Sequence, residues 1–148
     1  MKNILLIFVL FITCHAVSLC QTNKKEFAKW YADENKVITL TGKANTKLFS
    51  GNYKGAMQDY TRIIKQFPKS SNAYLARGLA KNHHGDYNGA IEDYNKAIEL
   101  NSAASSAFVH RGRAKINISD KEGACLDWNT ALELGDTDAT DLIEEHCK

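Results

Sequence analysis

Cysteine, histidine and a recurring set of charged residues are the side chains in this chain able to do chemistry. The cysteines are Cys14, Cys20, Cys125 and Cys147. Cys125 and Cys147 could form a disulfide, remain free thiols, or give one thiolate ligand to a metal beside His146. The last option is poor, because neighbours in sequence cannot readily share one ion. His83 and His84 are also adjacent, so on a helix they point about 100° apart. A helical metal pair needs i, i+3 or i, i+4 spacing. No Ser/His/Asp or Cys/His set follows from spacing, and Glu144 with Glu145 reads as a solvated face. Gly55, Gly89 and Gly123 match no phosphate-binding loop, and their place just inside a helix points to close packing on a neighbouring helix. No catalytic residue, metal or cofactor is therefore expected.

The charged set is more regular. Lys43, Arg77 and Arg111 are 34 residues apart, as are Lys47, Lys81 and Lys115, and Asp59, Asp93 and Asp127. Each basic pair lies one helical turn apart on one face, and each has one carboxylate to meet it. The periodic Asp favours an ion pair across two helices, with the Lys and Arg stems packed on apolar surface. The alternative is a basic stripe for an anionic partner.

The first twenty residues are a separate object. Lys2 precedes an apolar run from Ile4 to Leu19, broken only by Thr13, His15 and Ser18. Residues 1–20 read as a secretory signal peptide cleaved after Cys20, leaving Gln21 first. The run of about 16 residues is short of the ~20 needed to span a bilayer, which disfavours a transmembrane anchor. A lipoprotein anchored through Cys20 is the other option, although Leu19 stands where Gly, Ala or Ser would be wanted. The protein is thus expected to be exported, periplasmic or extracellular, with no membrane span after cleavage. In that compartment Cys125 and Cys147 are most simply a disulfide. Closing about 22 residues contributes ~3 kcal/mol in the chain-entropy account. The charge is nearly balanced, 19 basic against 17 acidic residues, and no polybasic tract invites nucleic acid or an anionic membrane.

The elements that hold these groups come from a repeat. GNYKGAMQDYTRIIKQFP from Gly51 becomes GDYNGAIEDYNKAIELN from Gly85, and returns more weakly as SDKEGACLDWNTALELG from Ser119. Ala56, Ala90 and Ala124 share the 34-residue period with Tyr60, Tyr94 and Trp128. A unit of that length cannot bury its apolar face alone, so neighbours must stack. Helices are expected at about 37–50, 54–67, 71–84, 88–101, 105–118 and 121–134. Asn52, Asp86 and Asp120 suit N-caps. Ala139, Leu142, Ile143 and His146 recur at helical spacing and predict a last helix. Phe27, Trp30 and Tyr31 lie at one-turn spacing in a polar leader, 21–36, and suit a cap on the first repeat.

These residues resemble the tetratricopeptide repeat (TPR) family, a helix–turn–helix unit of this length. The family's small residue in the first helix falls at Ala44, Gly78 and Gly112, and its bulky start at Leu40, Tyr74 and Phe108. The closing proline appears only as Pro68, with Ser102 and Asp136 at the equivalent places. The resemblance implies an all-α fold, a short right-handed α-solenoid of three repeats (37–70, 71–104 and 105–138) with a C-terminal capping helix in 139–148. It also implies a non-catalytic module that binds another protein or peptide in its concave groove. The groove residues would be Thr41, Asn45 and Leu48 from the first repeat, Asn72, Leu75, Leu79, Asn82 and His83 from the second, and Val109, Arg113, Ile116 and Asn117 from the third. Asn offers a donor and an acceptor together, which suits a peptide backbone. The family's clamp for a terminal carboxylate would fall on Thr41, Asn45, Ala76, Ser106 and His110, of which only Asn45 fits. The runner-up is an assembly or stability factor that self-associates through its convex face, with no groove ligand.

Overall fold

The computed structural model describes residues 24–26 and 36–148. The signal sequence, its cleavage point, and Phe27, Trp30 and Tyr31 lie outside the described residues. The chain divides into two units at Thr39–Leu40, and the repeats belong to the second. Its helices are α1 (36–49), α2 (Tyr53–Gln66), α3 (Ser71–His84), α4 (Tyr87–Leu100), α5 (Ser105–Asn117), α6 (Lys121–Glu133) and α7 (Ala139–His146). Among the described residues there is no strand.

Local chemistry sets these boundaries. Asn52, Asp86 and Asp120 cap α2, α4 and α6, each side chain accepting from the N–H of Gly55, Gly89 or Gly123 at 2.9–3.0 Å. This bond corrects the packing explanation for those glycines. A Cβ at Gly89 would stand 2.3 Å from Asp86 Oδ2, so the residue is small to admit its own cap. Gly85 ends α3 in the left-handed region (φ 89°), where glycine carries no steric penalty. Ser119 takes the equivalent turn at φ 65°.

The second unit is a solenoid. α2 packs on α3, α3 on α4, α4 on α5, α5 on α6 and α6 on α7, and α3 also touches α5. Its core consists of alanines that let helices approach and aromatics that fill the space between them. Tyr60, Tyr94 and Trp128 are fully buried. Gly78 and Gly112 make room for two of these rings, since a Cβ there would lie 2.6 Å from Tyr94 and 2.4 Å from Trp128. α7 closes the array. Ala139, Leu142, Ile143 and Cys147 pack with Trp128 and Ala131, and the sulfurs of Cys125 and Cys147 lie within bonding distance, their Cα atoms 5.7 Å apart.

The expected ion pairs form in the second and third repeats. Asp93, 4 % exposed, accepts from Arg77 Nε and Nη2 at 2.8 and 2.6 Å, and Lys81 Nζ lies 2.9 Å away. Asp127 has the same company in Arg111, at 2.9 and 2.5 Å, and Lys115, at 2.9 Å. In the first repeat Asp59 is reached instead by Lys47 and Arg62, at 2.5 and 3.2 Å, and Lys43 stands exposed. The hydrogen bond to Asp93 is the main reason the Arg77 guanidinium is held above its ordinary pKa. Each arginine also reaches back one repeat: Arg77 Nη1 donates to Thr61 Oγ1 at 3.2 Å, and Arg111 Nη1 to Asn95 Oδ1 at 2.6 Å.

Candidate functional site

The constant rotation between repeats brings equivalent positions of the inner helices onto one surface. α3 contributes Leu79, Asn82 and His83, and α5 contributes His110, Arg113, Ile116 and Asn117. Together with Trp128 from α6 and Leu142 and His146 from α7, they line a cleft of about 390 Å³. Six residues expected in the groove are therefore gathered at one place: Leu79, Asn82, His83, Arg113, Ile116 and Asn117.

The other expected residues lie elsewhere. Asn45 accepts a hydrogen bond from Tyr60 Oη. Asn72 is exposed on the first turn of α3. Leu75 packs with Ala90, Tyr94 and Ala114, and Leu48 packs on the cluster around Tyr60. Val109 is only 5 % exposed, and its carbonyl accepts from Trp128 Nε1 at 3.1 Å. Thr41 is half-buried on α1.

Sequence reasoning did not assign His110, Trp128, Leu142 and His146 to the cleft. For His110 a signal was present, since it stands 34 residues after Ala76 on the inner helix. Leu142 and His146 sit one turn apart on α7, so a shared face was readable, but the surface it meets was not.

Aromatic contacts hold the imidazoles. His83 stacks on Tyr53 with ring centres 5.1 Å apart, His110 on Tyr94 at 6.2 Å, and His146 packs against Trp128 at 5.3 Å. Burial and the charge of Arg113 lower the His110 pKa to about 4, with a small opposing pull from Asp136, so its ring is neutral at pH 7. Burial raises the Tyr60 hydroxyl to about 12 and pushes Tyr94 higher still. Two polar atoms here have no partner: Asn82 Oδ1 and Tyr94 Oη are both buried without a hydrogen bond. Among the described residues, no three His, Cys, Asp or Glu side chains are placed to hold a metal. A second hollow of about 510 Å³ lies between α1 and α2, lined by Leu40, Lys43, Thr46, Lys47, Asp59 and Arg62.

Residues 39–70 and 71–103 each match a family model described as tetratricopeptide repeat. The fold is a solenoid of tetratricopeptide repeats. The α5–α6 pair lies beyond both matched segments and keeps the same period. The TPR chain is similar to the first TPR of Spaghetti (RPAP3) bound to the HSP90 peptide SRMEEVD, with 26% identity and a TM-score of 0.72 over 76% of this chain and 91% of that one. It is also similar to the second TPR domain of human RPAP3 in complex with the HSP70 peptide SGPTIEEVD, with 27% identity and a TM-score of 0.71 over 76% and 95%. PcrH in complex with the chaperone-binding region of PopD shares the fold, at 15% identity and a TM-score of 0.74 over 77% and 92%. No curated protein matches the sequence. Among the described residues, no helix is long and apolar enough to cross a membrane.

Proposed function

We propose that this TPR solenoid is a non-catalytic interaction module that holds a segment of another polypeptide along its inner helices, with the cleft between α3, α5 and α7 as its main grip. The observation that carries this reading is the cleft itself. It combines apolar walls (Leu79, Ile116 and Leu142) with a few convergent polar groups, the usual make-up of a recognition site. TPR structures with peptides or protein segments bound support it. The protein works after export, supported by the apolar leader ending at Cys20, and Cys125 and Cys147 are joined there as a disulfide.

The test is a titration of a partner recovered with the domain spanning residues 21–148. Asn82→Ala together with Arg113→Ala should weaken binding at least about tenfold, since contacts of this kind contribute ~1–3 kcal/mol when desolvated. Helicity and melting should stay unchanged. Lys65→Ala and Glu99→Ala, both on exposed positions, serve as controls. A second reading, self-association through the outer helices, draws on Leu126, which α6 leaves 70 % exposed. Loss of binding in the controls, with the groove pair unaffected, would transfer the function to that face.

A further inference from the structure

Position by position, the second repeat is the odd one. Leu48, Asn82 and Ile116 are equivalent residues of the three inner helices. The outer two are apolar, and Leu48 packs on its own repeat's core. In the middle repeat the same place holds an amide whose oxygen is buried and unpaired. Folding desolvates that acceptor and gives it nothing in return. Tyr94 repeats the pattern. In the first repeat the equivalent Tyr60 donates to Asn45. The residue equivalent to Asn45 is Leu79, which has no acceptor to offer, and Tyr94 Oη is left unpaired. Its ring stacks on His110, which lines the cleft.

The third equivalent of Asn45 and Leu79 is Arg113, exposed and without an ion pair among the described residues. No carboxylate lines the cleft. Asp136, the acid acting on His110, accepts from Ser105 Oγ at 3.0 Å. The site thus holds a buried acceptor without a donor and a cation without an anion. Complementary charge and an unsatisfied acceptor are features that select a partner.

We infer that the cleft between α3, α5 and α7 is a subsite for an acidic side chain within an extended polypeptide, whose backbone N–H donates to Asn82 Oδ1 while its carboxylate accepts from Arg113. This rests on the reading of the chain as a polypeptide-binding module. Asn82 then determines specificity at a cost in fold stability, and Arg113 selects the charge. A chain terminus is not required, because the carboxylate belongs to a side chain.

The probe is a pentapeptide with one central glutamate between glycines, acetylated and amidated at its ends, compared with versions carrying glutamine or lysine. Binding is followed through the side-chain NMR signals of Asn82 and Arg113. The glutamate peptide should move both signals and bind at least roughly fivefold tighter than the other two, and Arg113→Gln should erase that preference. Asn82→Leu should raise the melting temperature while weakening the glutamate peptide by a similar factor. A purely structural Asn82 would give the opposite: a lower melting temperature and unchanged binding. Equal binding of the glutamate and glutamine peptides overturns the acidic subsite and leaves the module reading standing. Cleft signals that no peptide moves also overturn the subsite, and the partner titration above then decides the module separately.

Discussion

Asp93 sits almost out of reach of water between Arg77 and Lys81, and its value to the fold depends on keeping both. Removing one member of a buried charge cluster leaves the others uncompensated, typically costing 3–5 kcal/mol. Asp59 holds Lys47 and Arg62, whose side chains are 40 % and 73 % exposed, so solvent screens that pair. Asp93→Ala should therefore destabilise the domain by about 3–5 kcal/mol, and Asp59→Ala by about 1 kcal/mol or less. Urea unfolding of the two variants compares them, and equal losses would show that burial does not set the strength of these pairs. His110 gives a pH dependence. Its pKa falls from 6.5 in the free residue to about 4 in the fold, so between those values the unfolded chain takes up a proton that the folded one refuses. Stability contributed by neutral His110 is complete above about pH 6.5, declines as pH falls toward 4, and is then lost, on the order of 2–3 kcal/mol in all. His110→Phe keeps an aromatic ring against Tyr94 and should flatten the profile in this window. An unchanged slope would assign it to other groups. The charged ladder was legible because its members recur every 34 residues. The substitution of Arg62 for Lys43 was not, because it depends on which cation reaches Asp59 first.

At the scale of elements, the sequence was most legible where a local rule acts. The caps at Asn52, Asp86 and Asp120 follow from side chains that compete for free N–H groups at a helix start, and all three accept that bond. The glycines after them were misread because the Cβ clash is with the cap itself, a contact visible only in three dimensions. α7 was legible as an amphipathic helix, yet its share in the cleft was not, since helical spacing says which residues share a face and not what the face meets. Its attachment is testable. The exported protein should have an intact mass that begins at Gln21 and is two hydrogens light, reflecting one disulfide. Cys147→Ser should then lower the melting temperature by several degrees, through loss of roughly 2–4 kcal/mol. Two alkylatable thiols in the native protein, a mass that includes residues 1–20, or diacylglycerol on Cys20 would contradict this.

For the whole array, a fixed rotation per repeat makes position in the sequence a coordinate in space. That is why Leu79, Asn82, His83, Arg113, Ile116 and Asn117 could be named together from one dimension. The missing partner of Asn82 could not, because an empty place opposite a side chain leaves no mark in its spacing. Two asymmetries along the array share a direction. The charge cluster of the first repeat is looser than those of the second and third, and the proposed Cys125–Cys147 bond staples the opposite end. In a linear stack where each layer leans only on its neighbours, thermal motion then peels layers from the α2 side and stops short of α5–α7. A segment gripped beside α7 would be held by the quiet end while the other end breathes, so a long partner could be threaded and released piecemeal without ever leaving its anchor.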